Sequence, residues 1–301
     1  MIVSPESSHI STLQPFLIGD RPVDLVGSIP TCPIPNPSPA IQANSYFFAH
    51  PKWAKDYFDH CHRDSAFRER WLAAMGSWDG KVVVDIGCGP GNLYAALEGS
   101  PKVLIGVDIS PGTLEMAQEI GYTPLLADAH DLPLVSGCAD IVALNATLHH
   151  CDDMDKVLRE AARLVRPGGL LMIDHDPQRS AWNYKGLGML FYQVRLPLYR
   201  FLFRTLHIES EERAAMMATE VHHQPGHGVT PELFRSILSP LGFDINLYPH
   251  NHTVGAEALQ GELGNPPHWR YRIGQILSGI DPYSPEAALS LMCVARRSTE
   301  G

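Results

Sequence analysis

From residue 82 the chain alternates short apolar runs with stretches of helical period. KVVVDIG is a β-branched run that ends in glycine. After it come a helical stretch over Asn92 to Leu97, the run KVLIGVD, a helix over Pro111 to Ile120, and the runs TPLLAD and DIVALN. A helix over Met154 to Val165, a Pro-Gly-Gly turn and LLMID complete the series. Short runs alternating with helices predict a parallel sheet with helices on both faces, a doubly wound α/β fold. The runs are nearly all apolar, as strands covered on both faces are.

Past Asp176 the alternation breaks. Residues 178–230 read as an inserted, largely helical lid, rich in aromatics over 182–203. Alternation resumes with a helix from Pro231 to Leu238 and the run FDINLY. A second insertion, about 251–285, precedes the last apolar run, ALSLMCVARR. Upstream, residues 46–79 form a helical cap, with apolar and aromatic residues at helical spacing up to Gly76. Residues 1–45 are a proline-rich arm, with eight of the 25 prolines in the first 40 residues. Proline fixes φ and removes a donor, so the arm is not expected as regular helix or inner strand. It is either disordered or an extended strap on the body. Five parts result: 1–45, 46–79, a ligand-binding core over 80–177, 178–230, and 231–301 as the rest of the core.

Composition narrows the function. With 23 Lys and Arg against 33 Asp and Glu the net charge is −10, which disfavours nucleic acid, whose binding rests on phosphate neutralisation. No uncharged apolar run approaches the roughly 20 residues that cross a bilayer, and the N-terminus does not read as a signal peptide. The six cysteines form no CxxC pair, which fits reduced thiols in the cytoplasm.

The chemistry gathers at the ends of the apolar runs. Asp85-Ile86-Gly87-Cys88-Gly89-Pro90-Gly91 sits where the first strand meets its helix. Glycines there allow a tight turn and close backbone approach, and the helix start offers free N–H groups. Asn92 stands where a dinucleotide fingerprint places its last glycine, which disfavours a nicotinamide cofactor. Asp108 ends the second run, where a carboxylate can accept both hydroxyls of a ribose. Asp128, followed by Ala129, ends the third and can meet a base edge. Together they mark the carboxyl rim of a parallel sheet, where such folds bind ligands.

Over about 82–176 these motifs resemble the class I S-adenosylmethionine-dependent methyltransferases, closest to the small-molecule branch that includes quinone-biosynthesis enzymes. VVVDIGCGPGNLY, VLIGVDIS, LLADAHDLP, DIVALNATLHH and RPGGLLMID stand in that family's order. The resemblance is weaker over 1–75, 178–230 and 250–285. It implies a seven-stranded Rossmann-like sheet and S-adenosyl-L-methionine as cofactor. It also implies Asp85, Gly87, Cys88, Gly89 and Gly91 near the methionine part, Asp108 on the ribose and Ile109 against adenine. Asp128 and Ala129 would meet the adenine edge, with Asn145 and Ala146 on the methionine side. The activity it implies is methyl transfer to an O, N or C atom of an apolar or aromatic small molecule. A cyclase or lyase on the same fold and a non-catalytic binding module are the alternatives.

Three further groups bear on the acceptor. His149 and His150 follow the fourth run and read as a base or substrate anchor, or as a hydrogen-bonded loop pair. A metal is not expected there, because the ligands are sequential rather than spaced for one face. His222, His223 and His227, around Pro225 and Gly226, read as acceptor contacts or a solvated loop. Tyr184, Phe191, Tyr192 and Tyr199 read as a lid over an apolar acceptor. Arg195, Arg200 and Arg204 raise the alternative of membrane contact through 186–208.

Overall fold

The computed structural model describes residues 5–50, 52–55, 65–202 and 210–299, with backbone alone at 5–8, 195–202 and 210–214. Tyr199, Arg195 and Arg200 therefore lie outside the described side chains, and Arg204 outside the described residues.

One nine-stranded sheet runs through the described residues. Its strands are β1 (Asp24–Val26), β2 (Ile29–Thr31), β3 (Val82–Ile86), β4 (Val103–Asp108), β5 (Thr123–Leu126), β6 (Ala139–Asn145), β7 (Val165–Asp174), β8 (Phe243–His250) and β9 (Ser290–Arg297). The order across the sheet is β1-β2-β5-β4-β3-β6-β7-β9-β8. Neighbours from β2 to β7 pair in parallel, and β9 runs antiparallel between β7 and β8. The chain steps outward from β3 through β4 to β5, then crosses back to β6 on the other side of β3. That reversal is the topological switch point, which opens a crevice at the strands' carboxyl ends.

Seven strands were expected, and the other two come from the proline-rich arm. β1 and β2 form a hairpin across Gly27, at φ 62°, and β2 meets the sheet edge at Leu126. Pro30 lies in β2 opposite Leu25 of β1, so against expectation the arm supplies a strand inside the sheet; β2 meets β5 through Thr31 alone, which spares Pro30 a ladder bond on that side. The arm also holds helix α1 (Pro5–Leu13), against expectation. Pro5 occupies the first turn, where no intrahelical N–H is needed, and Pro15 falls after the end.

Two apolar layers enclose the sheet. On one face Val84, Ile86, Ile105, Val107, Val142 and Leu144 pack with α6 (Met154–Leu164) and α9 (Pro231–Leu238). Both helices start as their sequences dictate. The Asp153 carboxylate accepts the N–H of Lys156, and the Thr230 hydroxyl that of Leu233 ahead of Pro231. On the other face Val83, Leu104 and Ile141 pack with α3 (Ser65–Met75), α4 (Asn92–Leu97) and α5 (Pro111–Glu119).

Helix α2 (Pro39–Ala49) lies over the carboxyl rim, capped by the Ser38 hydroxyl, which accepts the N–H of Ile41. Helix α8 (Ser210–Thr219) packs on α2, and α7 (Gly186–Leu202) packs instead on α10 (Trp269–Leu277) of the second insertion. No helix of the described residues is long and apolar enough to cross a membrane.

Candidate functional site

A cleft of about 870 Å³, counting its open mouth, lies at the switch point. The glycine turn after β3 forms its floor. Gly87, Gly89 and Gly91 take φ of 71°, 52° and 90°, conformations that side chains rarely adopt. At Gly87 a Cβ would stand 2.5 Å from Thr147 Oγ1, so the turn closes only without one. At Gly89 a Cβ would meet no protein atom within 4 Å, leaving backbone bare toward the cleft.

Asp108, at the end of β4, accepts the N–H groups of Gly89 and Ser110, each at 2.9 Å. Burial raises its pKa and these hydrogen bonds oppose the rise, leaving it above the ordinary value. The carboxylate lines the cleft, where it can accept from a ligand hydroxyl. Asp85 is buried under the turn and accepts from the Tyr122 hydroxyl at 2.8 Å. Burial pushes it up to about 7 against that bond. Asp128 Oδ1 takes the backbone N–H of His130 at 2.9 Å and pairs with its Nδ1 at 2.6 Å. Burial raises this carboxyl, but the His130 bonds outweigh it and hold it below its usual value. His130 Nε2 accepts from the Asp153 N–H, which assigns the ring proton to Nδ1.

The opposite wall is Asn145, Ala146 and Thr147 after β6. Ala146 sits at φ 54°, an unusual position for a residue with a side chain. A buried network behind the wall holds it. The Ala146 N–H donates to the Asp174 carbonyl, and Asn145 Oδ1 lies 3.2 Å from His175 Nδ1. The Asp174 carboxylate takes Arg70 at 3.1 Å, His250 at 2.7 Å and the His175 N–H at 2.7 Å. Burial raises Asp174, yet these partners hold it well below the carboxylate range. Helix α2 roofs the cleft with Ile41, Asn44 and Phe48, and His150 closes the same end, edge-on to Phe48.

All eleven residues expected to meet the cofactor lie in or beside this cleft, though Gly91 is not in its lining. Sequence reasoning missed α2, Asn92, Leu93, His130, Thr147 and Cys151. For α2 the one signal was its aromatic SYFFAH stretch, read as part of a cap.

The histidines after β6 separate. His150 lines the cleft; its Nδ1 lies 2.8 Å from the Thr219 carbonyl, and burial drives its pKa down to about 3. His149 is not in the lining. Its Nδ1 and its backbone N–H both meet Asp176 Oδ1, at 2.8 and 3.0 Å. Burial lowers this imidazole, but the Asp176 bond and charge leave it raised. Its Nε2 faces Glu220 at 3.8 Å, and Glu220 also holds His223 Nδ1 at 2.7 Å. Burial would raise Glu220, but the His223 bond and the neighbouring histidines hold it at about 2. The two histidines are sequential, but they are not alone. Glu220 joins the two sequential histidines from a distant segment, with donor atoms of all three within 4.8 Å of one another.

Among the described side chains, the expected acceptor contacts do not line the cleft. The His222 N–H donates to the His149 carbonyl, His223 packs on Trp182, and His227 is exposed. Tyr184 is buried against Gly274 and packs with Tyr192, while Phe191 is half-buried outside the lining. The physical reason is the packing of α7 on α10, which turns these aromatics toward the second insertion.

The cleft fits S-adenosylmethionine. Asn44 Oδ1 and Asn92 Oδ1 are buried acceptors in its wall with no partner. Asn44 Nδ2 donates to the Ala40 carbonyl, which fixes the oxygen's identity. Orphaned acceptors match a ligand rich in N–H donors, which the cofactor's ammonium and adenine amino groups supply. Asp108 suits its ribose.

Comparison with known proteins agrees. Residues 84–173 match the family described as a methyltransferase domain. The malonyl-[acyl-carrier protein] O-methyltransferase of Pectobacterium atrosepticum is 32% identical over 132 residues, 43% of this chain and 51% of that one. The demethylmenaquinone methyltransferase of Geobacillus kaustophilus is 25% identical over 208 residues, 65% of this chain and 86% of that one. The chain thus spans about half the length of the malonyl-carrier relative and most of the quinone one. A chain of the Haloferax volcanii complex with the Trm112 methyltransferase activator superposes with TM-score 0.52 at 18% identity, covering 84% of this chain and 98% of that chain. At that identity the likeness is one of fold. Motifs, sheet order, cleft and family match converge on residues 84–173, the stretch of this chain that is similar to a methyltransferase domain.

Proposed function

We propose that the protein transfers a methyl group from S-adenosylmethionine to an O, N or C atom of an apolar or aromatic small molecule. The observation that carries this reading is the glycine turn and Asp108 at the switch point, facing Asn145, Ala146 and the α2 roof across one cleft. The cofactor supplies a methyl already activated on a sulfonium, so the protein needs no nucleophile of its own.

What remains for this chain is alignment and water exclusion. Asp108 holds the ribose, and the Gly89 backbone it anchors lies along the methionine part. Asp85 and the orphaned Asn44 and Asn92 oxygens serve the amino groups. Ile41 and Phe48 give the roof an apolar surface against which a ring or acyl chain can lie. His150, held neutral by burial, is an acceptor of hydrogen bonds at the cleft's end rather than a cation.

The named relatives are an O-methyltransferase of a malonyl-[acyl-carrier protein] and a methyltransferase of demethylmenaquinone. An acceptor of either kind is our reading for this chain. The test is incubation with methyl-labelled cofactor and a panel of quinols, phenols and free carboxylates. The expected result is labelled product and S-adenosylhomocysteine in equal amounts. Tight cofactor binding with no label transferred to any acceptor, in the panel or in extracts of the source cell, would favour a binding module instead.

A further inference from the structure

We propose that His149, His150 and Glu220, with His223 behind Glu220, form a binding site for a divalent transition-metal ion, zinc by its donor set, beside the cleft. Three observations support it. First, two segments far apart in the chain converge. The loop after β6 brings the histidines and the end of α8 brings Glu220, with ligand atoms all within 4.8 Å of one another.

Second, the rings are held as metal-binding imidazoles are. His149 Nδ1 meets the buried Asp176 carboxylate at 2.8 Å, and His150 Nδ1 the Thr219 carbonyl at 2.8 Å. A carboxylate and a carbonyl can only accept, so each imidazole carries a proton on Nδ1, which leaves Nε2 as the ligand atom of the neutral ring. Asp176 Oδ1 also takes the His149 N–H at 3.0 Å, which stops the ring from turning. Third, the carboxylate is braced too. Glu220 Oε2 takes His223 Nδ1 at 2.7 Å but stands 3.8 Å from His149 Nε2, beyond a hydrogen bond.

Ligands about 2.0–2.1 Å from zinc stand roughly 3.3 Å apart in a tetrahedron. The present atoms need to close by up to about 1.5 Å, a shift in which the partly exposed Glu220 side chain would carry its His223 partner with it. Two imidazoles and one carboxylate leave a fourth position open. His150 lines the cleft, which puts the site beside the cleft's end. An ion there would polarise an acceptor oxygen and ease loss of its proton before methyl transfer. This use rests on the methyl-transfer reading; the binding does not.

The experiment is titration of chelator-stripped full-length protein with Co²⁺, read by its visible d–d bands, with Zn²⁺ in competition. One ion per chain is expected. Glu220→Gln should weaken Co²⁺ binding at least tenfold, and His223→Ala about 10–100-fold as a bracing partner. Both sit near the surface, and an unchanged melting temperature and cofactor affinity show that each variant is folded. Absence of Co²⁺ bands, or binding that Glu220→Gln leaves unchanged, overturns the site. If stripped protein methylates its acceptor and binds no Co²⁺, the site falls while the methyl-transfer reading stands. If Co²⁺ binds and no acceptor is methylated, the reverse holds.

Discussion

The carboxylate of Asp108 accepts the N–H of Gly89 at 2.9 Å, so the end of β4 holds the turn that follows β3. One side chain thus shapes the turn and offers its remaining lone pairs to the ribose. Asp108→Ala should weaken S-adenosylmethionine binding by about 2–3 kcal/mol, through loss of charged hydrogen bonds and a looser turn. Calorimetry showing unchanged affinity would remove Asp108 from the site.

Two glycines of that turn should respond in opposite ways. An alanine at Gly89 meets no protein atom within 4 Å, though φ is 52°. Gly89→Ala should therefore lower stability by only about 1–2 kcal/mol, for the left-handed backbone, yet weaken the cofactor at least tenfold. At Gly91 a Cβ would stand 2.4 Å from Ile120 and 3.0 Å from the Tyr122 ring. Gly91→Ala should be the less stable of the two by thermal melting. Normal cofactor affinity in Gly89→Ala would show that the ligand does not approach this backbone.

Asp85 gives a pH dependence of defined sign. Its pKa is pushed to about 7 by burial, from an ordinary value of 3.8. Between those values the unfolded chain has released this proton and the folded chain keeps it. Asp85 therefore makes stability fall as pH rises from about 4 to about 7, then level off, an effect on the order of a few kcal/mol. Asp85→Asn can still accept from Tyr122 and should remove that slope. Relative to the parent it should gain most at pH 8 and little at pH 4, read from urea midpoints. A parent–variant difference that is the same at both pH values would contradict the raised carboxyl.

The parts legible in the sequence are those set by local chemistry. The run KVVVDIG appears in the structure as the strand Val82–Ile86, and Asn92–Leu97 and Pro231–Leu238 appear with the bounds their residues predict. Each carries its own period, turn or cap. What was not legible depends on where distant segments land. Ile41, Asn44 and Phe48 reach the cleft only because the arm ties back to β5 through Thr31 and Leu126. Glu220 meets His149 only because α8 packs on α2. Neither pairing has a local signature. Proline density likewise hid α1, since density says less than whether a proline falls inside the helix or at its ends.

The aromatic segment after β7 supplies the last test. Tyr184 is buried, with Tyr192 and Trp182 around it at 5.6 and 6.3 Å between ring centroids, and Trp182 meets Tyr271 of α10 at 5.2 Å. This cluster ties the insertion after β7 to the one before β9. Removing the ring should cost about 3–5 kcal/mol of stability, as for other buried aromatics. Cofactor affinity should move by less than about 0.5 kcal/mol, because the ring is outside the cleft lining. Gly274 makes the packing testable without relying on the size of that loss. A Cβ there would stand 3.0 Å from the Tyr184 ring, tighter than ordinary contact. Gly274→Ala should thus destabilise the parent, and do so less when Tyr184→Ala has cleared the space. A double-mutant cycle by urea denaturation should show coupling of about 0.5–3 kcal/mol. Additive losses would mean that the two insertions do not meet through Tyr184. An acceptor-specific loss in Tyr184→Ala, with stability unchanged, would return this ring to the catalytic side.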